Sequence, residues 1–235
     1  MKKAGIATAF GLMAGLWAFG ASAAPITVSY TGFTNGSQSG TISGVRNVGV
    51  NAGQFGFNVL DNGGVYWDTT LQGFCIDVTT NLVVSGPVQY DLVAATSSSR
   101  LNAQQLSLIG SLYDQHAGSL TTATNSAAFQ LALWEILYDP GTLQLTNNGS
   151  FHASAFGGNA RSVAQGWLNG LDNSGSYVAS HEFWVLESPL SAAGKLTTQS
   201  LLVARPAAVP EPGTLALLGM GLLACGIAGR RRVRQ

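Results

Sequence analysis

The chain has 235 residues, of which 46% are hydrophobic and only 9% are charged. Its eleven basic and eleven acidic residues cancel, but six of the basic ones lie in the first three or last six positions, so residues 24–209 hold ten acidic and five basic side chains. This acidic region argues against nucleic acid and anionic membrane surfaces as partners, because it offers neither counterion release nor attraction. Its many apolar residues favour a folded, β-rich domain over disorder.

The first 23 residues are typical of a secretory signal peptide. Lys2 and Lys3 form a positive segment, an apolar run follows, and residues 21–23 read Ala-Ser-Ala, a cleavage site of the A-x-A kind. The pattern predicts export, with cleavage after Ala23 or the alanine that follows it. Residues 24–206 then form the exported domain, which is long enough for one hydrophobic core.

Short runs of β-branched and aromatic residues, often alternating with polar ones, predict strands in the first half of this domain and again near its end. Turn signals such as Asn35-Gly36 and Gly86-Pro87 separate them. The predicted strands cover residues 26–33, 41–50, 53–60, 71–80, 88–95, 176–187 and 195–205. We expect them to be antiparallel and to form a sandwich-like arrangement.

Helical spacing replaces strand alternation in the middle of the chain. Residues 102–118 predict a helix that begins after Asn102, a candidate N-cap. A second helix is predicted to begin at Asn125 or Ser126, and it must be buried on most sides because nearly every face of it is apolar. With a third helix at residues 159–171, the expected fold class is α+β: a β-rich domain with an inserted bundle of two to three helices.

Signals of enzymatic chemistry are few. His116, His152 and His181 are scattered, and the sequence after His181 lacks the second histidine that a helical zinc site needs four residues on. The chain has no nucleophile-elbow or phosphate-loop motif. We therefore expect no metal, no cofactor and no enzymatic activity, although a pair of distant carboxylates for hydrolysis would leave no signal in the sequence.

Cys75 and Gln130 are the two residues whose chemistry needs an explanation. The only other cysteine, Cys225, lies in an apolar segment near the end of the chain, so Cys75 is expected to be unpaired in an oxidising compartment. The side-chain amide of Gln130 lies in an apolar helix, where burial is costly unless the amide finds partners.

One covalent bond would account for both residues. A cysteine thiolate can attack a glutamine side-chain carbonyl, expel ammonia and leave an internal thioester, which survives only where water is excluded. The alternative is that Cys75 is a small buried hydrophobe and that Gln130 hydrogen-bonds a neighbouring backbone.

The residues around this pair resemble the thioester domains of bacterial surface adhesins. Phe74-Cys75 matches the family's aromatic-Cys step on an early strand, residues 130–134 match its Gln-x-Ala-Ile-Trp pattern, and residues 108–116 resemble its intervening helix. Phe129 stands where the family has a threonine before the glutamine, and Leu133 stands where it has isoleucine. The resemblance implies a Cys75–Gln130 thioester shielded by Phe74 and Trp134, and a surface amine or hydroxyl as the nucleophile that it acylates.

The end of the chain combines a Pro-Glu-Pro turn, an apolar segment and a cluster of arginines. Residues 214–228 carry no charge and as a helix would rise roughly 22 Å, short of the roughly 30 Å hydrocarbon core, yet the arginines would hold it in a membrane with their side in the cytoplasm. The turn and the cluster consist of Pro210, Glu211, Pro212, Arg230, Arg231, Arg232 and Arg234.

This tail, residues 207–235, resembles the PEP-CTERM family. The resemblance implies a Gram-negative bacterium, recognition by an exosortase near the Pro-Glu-Pro turn, and a single transmembrane sorting helix that holds the protein in the inner membrane before processing. The processed protein would then reach the outer surface or the extracellular polysaccharide matrix.

Three functions follow, all for an exported protein of the cell surface or matrix. The first is covalent adhesion through the thioester. The second is a non-covalent structural or polysaccharide-binding role with an inert buried Cys75, and the third, weaker one is hydrolysis of a matrix polymer.

Overall fold

The computed structural model describes residues 24–62, 69–146 and 149–206. The predicted signal peptide at residues 1–23 and the predicted sorting tail at residues 207–235 lie outside these ranges. Cys225 lies outside them too, as do the residues of the Pro-Glu-Pro turn and the arginine cluster: Pro210, Glu211, Pro212, Arg230, Arg231, Arg232 and Arg234. Among the described residues, no helix is both long and apolar enough to cross a membrane.

Nine strands and three α-helices make up the described part of the chain. The strands are β1 (Ala24–Phe33), β2 (Gln38–Gly44), β3 (Val48–Ala52), β4 (Phe55–Asp61), β5 (Thr70–Cys75), β6 (Pro87–Ala94), β7 (Phe151–Ser154), β8 (His181–Glu187) and β9 (Leu201–Pro206). The helices are α1 (Ala103–His116), α2 (Ala123–Tyr138) and α3 (Ala160–Asn169).

Six of the strands form a closed antiparallel barrel in the order β1-β4-β5-β9-β8-β6. The prediction of antiparallel strands is confirmed, but the sandwich-like arrangement is wrong. Closure satisfies the backbone groups that two open sheets would leave at their edges. Leu92, Leu186, Leu201 and Cys75 lie opposite one another across four neighbouring strands, so their side chains share one face of the barrel wall.

A second, three-stranded sheet has the order β3-β2-β7. The predicted single strand at residues 41–50 is in fact a hairpin, in which β2 and β3 pair antiparallel around residues 45–47. Strand β7 gave no recognisable pattern in the sequence because it has only four residues. This small sheet packs against α2.

The prediction of helices in the middle of the chain is confirmed, with α1, α2 and α3. Asn102 caps α1 with a full capping box, in which its side chain accepts from the Gln105 amide and Gln105 accepts from the Asn102 amide. Helix α2 begins at Ala123, after the cap Thr122, and so starts two or three residues earlier than predicted. As its composition predicts, α2 is buried continuously from Ser126 to Ile136.

Candidate functional site

The end of strand β5 brings Cys75 against helix α2. Strand β4 begins at Phe55, which pairs with Gly73, so the backbone of Cys75 lies two residues beyond the last pair between these strands. Gln130 takes the place of the missing strand residue: its Oε1 accepts from the Cys75 amide at 2.9 Å and its Nε2 donates to the Cys75 carbonyl at 2.8 Å. The structure therefore places the two predicted residues side by side, with the Gln130 amide bonded to backbone.

Three residues of α2, spaced by four, contact the segment around Cys75. Gln130 bonds the Cys75 backbone, Trp134 lies one turn further along the helix, and Tyr138 lies a turn beyond that. The Tyr138 hydroxyl donates to the Ile76 carbonyl at 3.0 Å and accepts from the Val78 amide at 3.2 Å. The four-residue spacing in the sequence was a signal from which the role of Tyr138 could have been predicted.

The thiol of Cys75 is buried, with 1% of the residue exposed, and is not part of a disulfide. Its Sγ donates to the Asp77 carbonyl at 3.0 Å and accepts from the Asp77 amide at 3.3 Å. Burial raises the pKa of this thiol to about 12, against smaller lowering effects of the Asp77 backbone and the nearby Trp134 indole. The thiol is therefore protonated at neutral pH.

Phe74 and Trp134, the two predicted shielding residues, lie in different surroundings. Phe74 contacts Phe129 with ring centroids 4.4 Å apart and ring planes tilted by 36°, in the core between β5 and α2. Trp134 lines a pocket together with Cys75 and is only 3% exposed. Although its indole is close enough to influence the thiol, Trp134 Nε1 has no hydrogen-bond partner of acceptable geometry among the residues that the structure describes.

The pocket at Cys75 has a volume of about 370 Å³ and lies between the barrel, the small sheet and α2. Tyr30 and Phe55 contribute aromatic walls from the barrel, and Ile42 contributes an apolar wall from β2. Arg46, from the β2–β3 turn, also lines it and donates to the Val78 carbonyl at 2.9 Å and to Asn81 Oδ1 at 3.3 Å. The place of Arg46 in this pocket could not be predicted, because nothing in its local sequence pattern connects it with Cys75.

Gln199 adds a second unpaired polar atom to the same pocket. It precedes β9 and lines the pocket together with Cys75 and Trp134. Its Oε1 is buried and accepts no hydrogen bond from the described part of the chain. Two residues that line the pocket thus carry a buried polar atom, Trp134 Nε1 and Gln199 Oε1, that has no hydrogen-bond partner among the described residues.

The three histidines lie apart from this pocket. His116 stacks on Trp167 at 4.2 Å, His152 lies 3.5 Å from the Ser43 hydroxyl, and His181 Nδ1 lies 2.6 Å from Asp114 Oδ1. Within the described ranges, no group of three or more His, Cys, Asp or Glu side chains could hold a metal ion.

A larger groove, of about 830 Å³, is bordered by the start of α1, the start of β8 and the loop at residues 175–179. Trp184 and Tyr177 line it, and the Arg205 guanidinium lies 5.1 Å from the centre of the Trp184 ring. Arg205 also pairs with Glu182 at 2.7 Å. No pattern in the sequence predicted this groove.

The comparisons with known proteins address the end of the chain. A family model described as the PEP-CTERM protein-sorting motif matches residues 208–232. The chain carries a PEP-CTERM sorting motif. This match includes the predicted Pro210, Glu211 and Pro212, and it supports an exported protein that passes through the membrane and is sorted by an exosortase. Neither curated proteins nor solved structures gave a match.

Proposed function

We propose that this PEP-CTERM protein is a covalent adhesion module of the cell surface or matrix, not an enzyme. In this proposal Cys75 and Gln130 form an internal thioester, which later transfers the Gln130 acyl group to a nucleophile on a partner. The observation that carries the proposal is the pairing of the Gln130 amide with the Cys75 backbone, beside a buried free thiol and at the edge of a pocket.

The chemistry needs only atoms that the site contains. A bond forms between Cys75 Sγ and Gln130 Cδ, the bond from Cδ to Nε2 breaks, and the thiol proton leaves with Nε2 as ammonia. The Cys75 amide already donates to Gln130 Oε1, so it would stabilise the negative charge that develops on this oxygen during the attack. Loss of Nε2 gives up one hydrogen bond, to the Cys75 carbonyl.

Deprotonation of the thiol is the demanding step, because burial raises the pKa of Cys75 to about 12. Asp77 is the acidic residue nearest in the chain, and it is itself buried, with 4% exposed. Its Oδ1 accepts from the Thr79 amide and hydroxyl, whereas its Oδ2 is buried and has no partner among the described residues. We assign Asp77 the role of the base that takes the thiol proton.

Intact-mass measurement of the exported protein tests the proposal. We expect the chain to weigh one ammonia less than its sequence mass, and treatment with methylamine to abolish the deficit. Cys75→Ala and Gln130→Ala should never show it, whereas Gln104→Ala, a matched change at an exposed glutamine of α1, should keep it. A full-mass protein whose Cys75 can be alkylated after unfolding would contradict the thioester.

A second candidate function is non-covalent binding of polysaccharide with an inert Cys75. The groove lined by Trp184 and Tyr177 favours it, because aromatic rings beside charged groups are typical of sites that bind sugars in proteins. In that case a full-mass protein would still bind matrix polysaccharide, and Trp184→Ala would weaken the binding. Gln130→Ala would not.

A further inference from the structure

The last strand of the barrel ends at the rim of the larger groove. At the end of β9, Pro206 pairs with His181 and Arg205 pairs with Glu182 of β8. His181, Glu182 and Arg205 all line the groove of about 830 Å³. The chain therefore leaves the described domain beside this groove, and residues 207–235, which contain the sorting motif, continue from there.

The register of β8 and β9 determines what lies next in line for the departing chain. Extended past the pair of His181 and Pro206, it sets residues 207–209 opposite residues 178–180. Val178 lines the groove and is 87% exposed, the most of any large hydrophobic residue that the structure describes. We propose that residues 207–209 dock on this face as a continuation of β9, with residues 178–180 as their strand partner. The proposal is independent of the thioester.

The spacing of the prolines fits such a continuation. Pro206 has no amide hydrogen, so its pair with His181 is of the type without mutual hydrogen bonds, and the amides on either side of it point towards β8. Pairing of β9 with β5 ends at Val203, so beyond that residue the other side of the strand has no strand partner. Pro210 and Pro212 follow Pro206 at even intervals, and in an extended chain all three turn the side without an amide hydrogen to this open edge, where proline is tolerated.

The hydrogen bonds of the loop agree with this arrangement. The Tyr177 amide is at a position that points away from the added strand, and it donates to Ser107 Oγ of α1 at 2.9 Å. The Ser180 amide donates to Asp114 Oδ2 at 2.7 Å, so only its carbonyl is left for the linker. The Val178 backbone has no hydrogen bond to another residue that the structure describes. Val178 is therefore expected to bond its new partner through both its amide and its carbonyl.

The composition of the segment suits the face on which it docks. Residues 207–209 are Ala-Ala-Val, without a charge or a polar side chain. Val209 comes to lie opposite Val178, and burial of apolar surface on both residues favours docking. The Pro-Glu-Pro turn begins at the next residue. The folded domain thus presents this turn to the exosortase from a fixed position, and not on a free tether.

A disulfide measures the proposed register. In exported full-length protein, Val178→Cys combined with Val209→Cys should form a disulfide without added oxidant, because opposite residues of a bonded pair have Cα atoms about 5.5 Å apart. Val178→Cys with Ala207→Cys is the matched control, since diagonal neighbours lie about 7–8 Å apart, too far for a disulfide. Peptide mapping without reduction should find at least about fivefold more of the first bond. Equal yields would indicate a free tether and overturn the proposal, as would the absence of both bonds.

Proline substitutions test the hydrogen bonds without new cysteines. Val209→Pro removes an amide that donates to the Val178 carbonyl, whereas Ala208→Pro removes one that points to the open edge. Hydrogen exchange at the Val178 amide should be slow in the unchanged full-length protein, at least about tenfold faster with Val209→Pro, and unchanged with Ala208→Pro. Unprotected exchange in the unchanged protein, or an equal effect of the two prolines, would overturn the proposal. If the groove instead holds only a saccharide, neither proline changes the exchange rate, and the proposal fails.

Discussion

The Gln130 side chain continues the β-ladder on the side of Cys75 where the pairing with β4 has ended. Its Oε1 and Nε2 bond the amide and carbonyl of Cys75 at 2.9 and 2.8 Å, as a neighbouring strand residue would. One buried amide therefore satisfies two backbone groups and at the same time lies beside the thiol. The structural role and the proposed chemical role are compatible, because a thioester would keep the bond from the Cys75 amide to Oε1.

Replacement of Gln130 by alanine should destabilise the domain even where no thioester can form. In a Cys75→Ala background, Gln130→Ala leaves the amide and carbonyl of residue 75 buried without partners and opens a cavity in α2. Since each unsatisfied buried group costs about 1–3 kcal/mol, we expect the free energy of unfolding to fall by about 3 kcal/mol or more in denaturant titrations.

The exposed Gln104 provides the control for this measurement. Its Nε2 donates to Asn173 Oδ1 at the surface, so Gln104→Ala in the same background should change the free energy of unfolding by less than about 0.5 kcal/mol. Equal stability of the two variants would mean that water replaces the Gln130 amide, and that the site is open.

Patterns among residues close together in the sequence predicted part of this site and of the helix nearby. Asn102 was recognised as a cap because capping depends on residues three apart, and Gln130 was recognised because a polar residue stands out in an apolar helix. Barrel closure could not be predicted, since alternation fixes which face of a strand is buried but not which strands pair. Arg46 and Gln199 reach the Cys75 pocket from distant parts of the chain, through those same pairings.

Replacement of two helical glycines, Gly110 and Gly166, by alanine should change the thermal stability of the domain in opposite directions. In α1, a Cβ at Gly110 would lie 2.7 Å from the Ala179 side chain, whereas in α3 a Cβ at Gly166 would meet no described atom within 4 Å. Alanine stabilises an unobstructed helix position by about 0.5–1 kcal/mol relative to glycine, so Gly166→Ala should raise the midpoint of thermal unfolding. Gly110→Ala should lower it, because the added methyl displaces the loop that borders the larger groove.

Limited proteolysis distinguishes a local displacement of the loop at Ala179 from a general loss of stability in Gly110→Ala. If the clash displaces the loop, Gly110→Ala should be cleaved faster near Ala179, and Gly166→Ala should be cleaved there at the rate of the unchanged protein. An increase in stability for both variants would show that the loop does not pack on α1 as the structure has it.

Glu135 should make the domain less stable as the pH rises. Its Oε1 accepts from the Gln144 amide at 2.7 Å, but its Oε2 is buried without a partner in the described ranges. Burial, and to a smaller extent Asp139, raises the pKa of Glu135 from 4.5 to about 7, against the lowering effects of the Gln144 amide and of the nearby Thr142 hydroxyl. Between these two values the folded state binds more protons than the unfolded state, so the stability present below pH 4.5 is lost as the pH rises towards about 7.

Comparison with Glu135→Gln isolates this effect, because every other ionisable group is the same in both proteins. Near pH 5 the unchanged Glu135 is mostly a neutral acid in the folded state, so the two proteins should have similar free energies of unfolding. Near pH 8 the variant should be more stable by about 2–3 kcal/mol, since each unit of pKa shift corresponds to about 1.4 kcal/mol. Denaturant titrations across this pH range would reveal the divergence. Parallel curves would mean that Glu135 is ionised in the folded state, with water or a cation at Oε2.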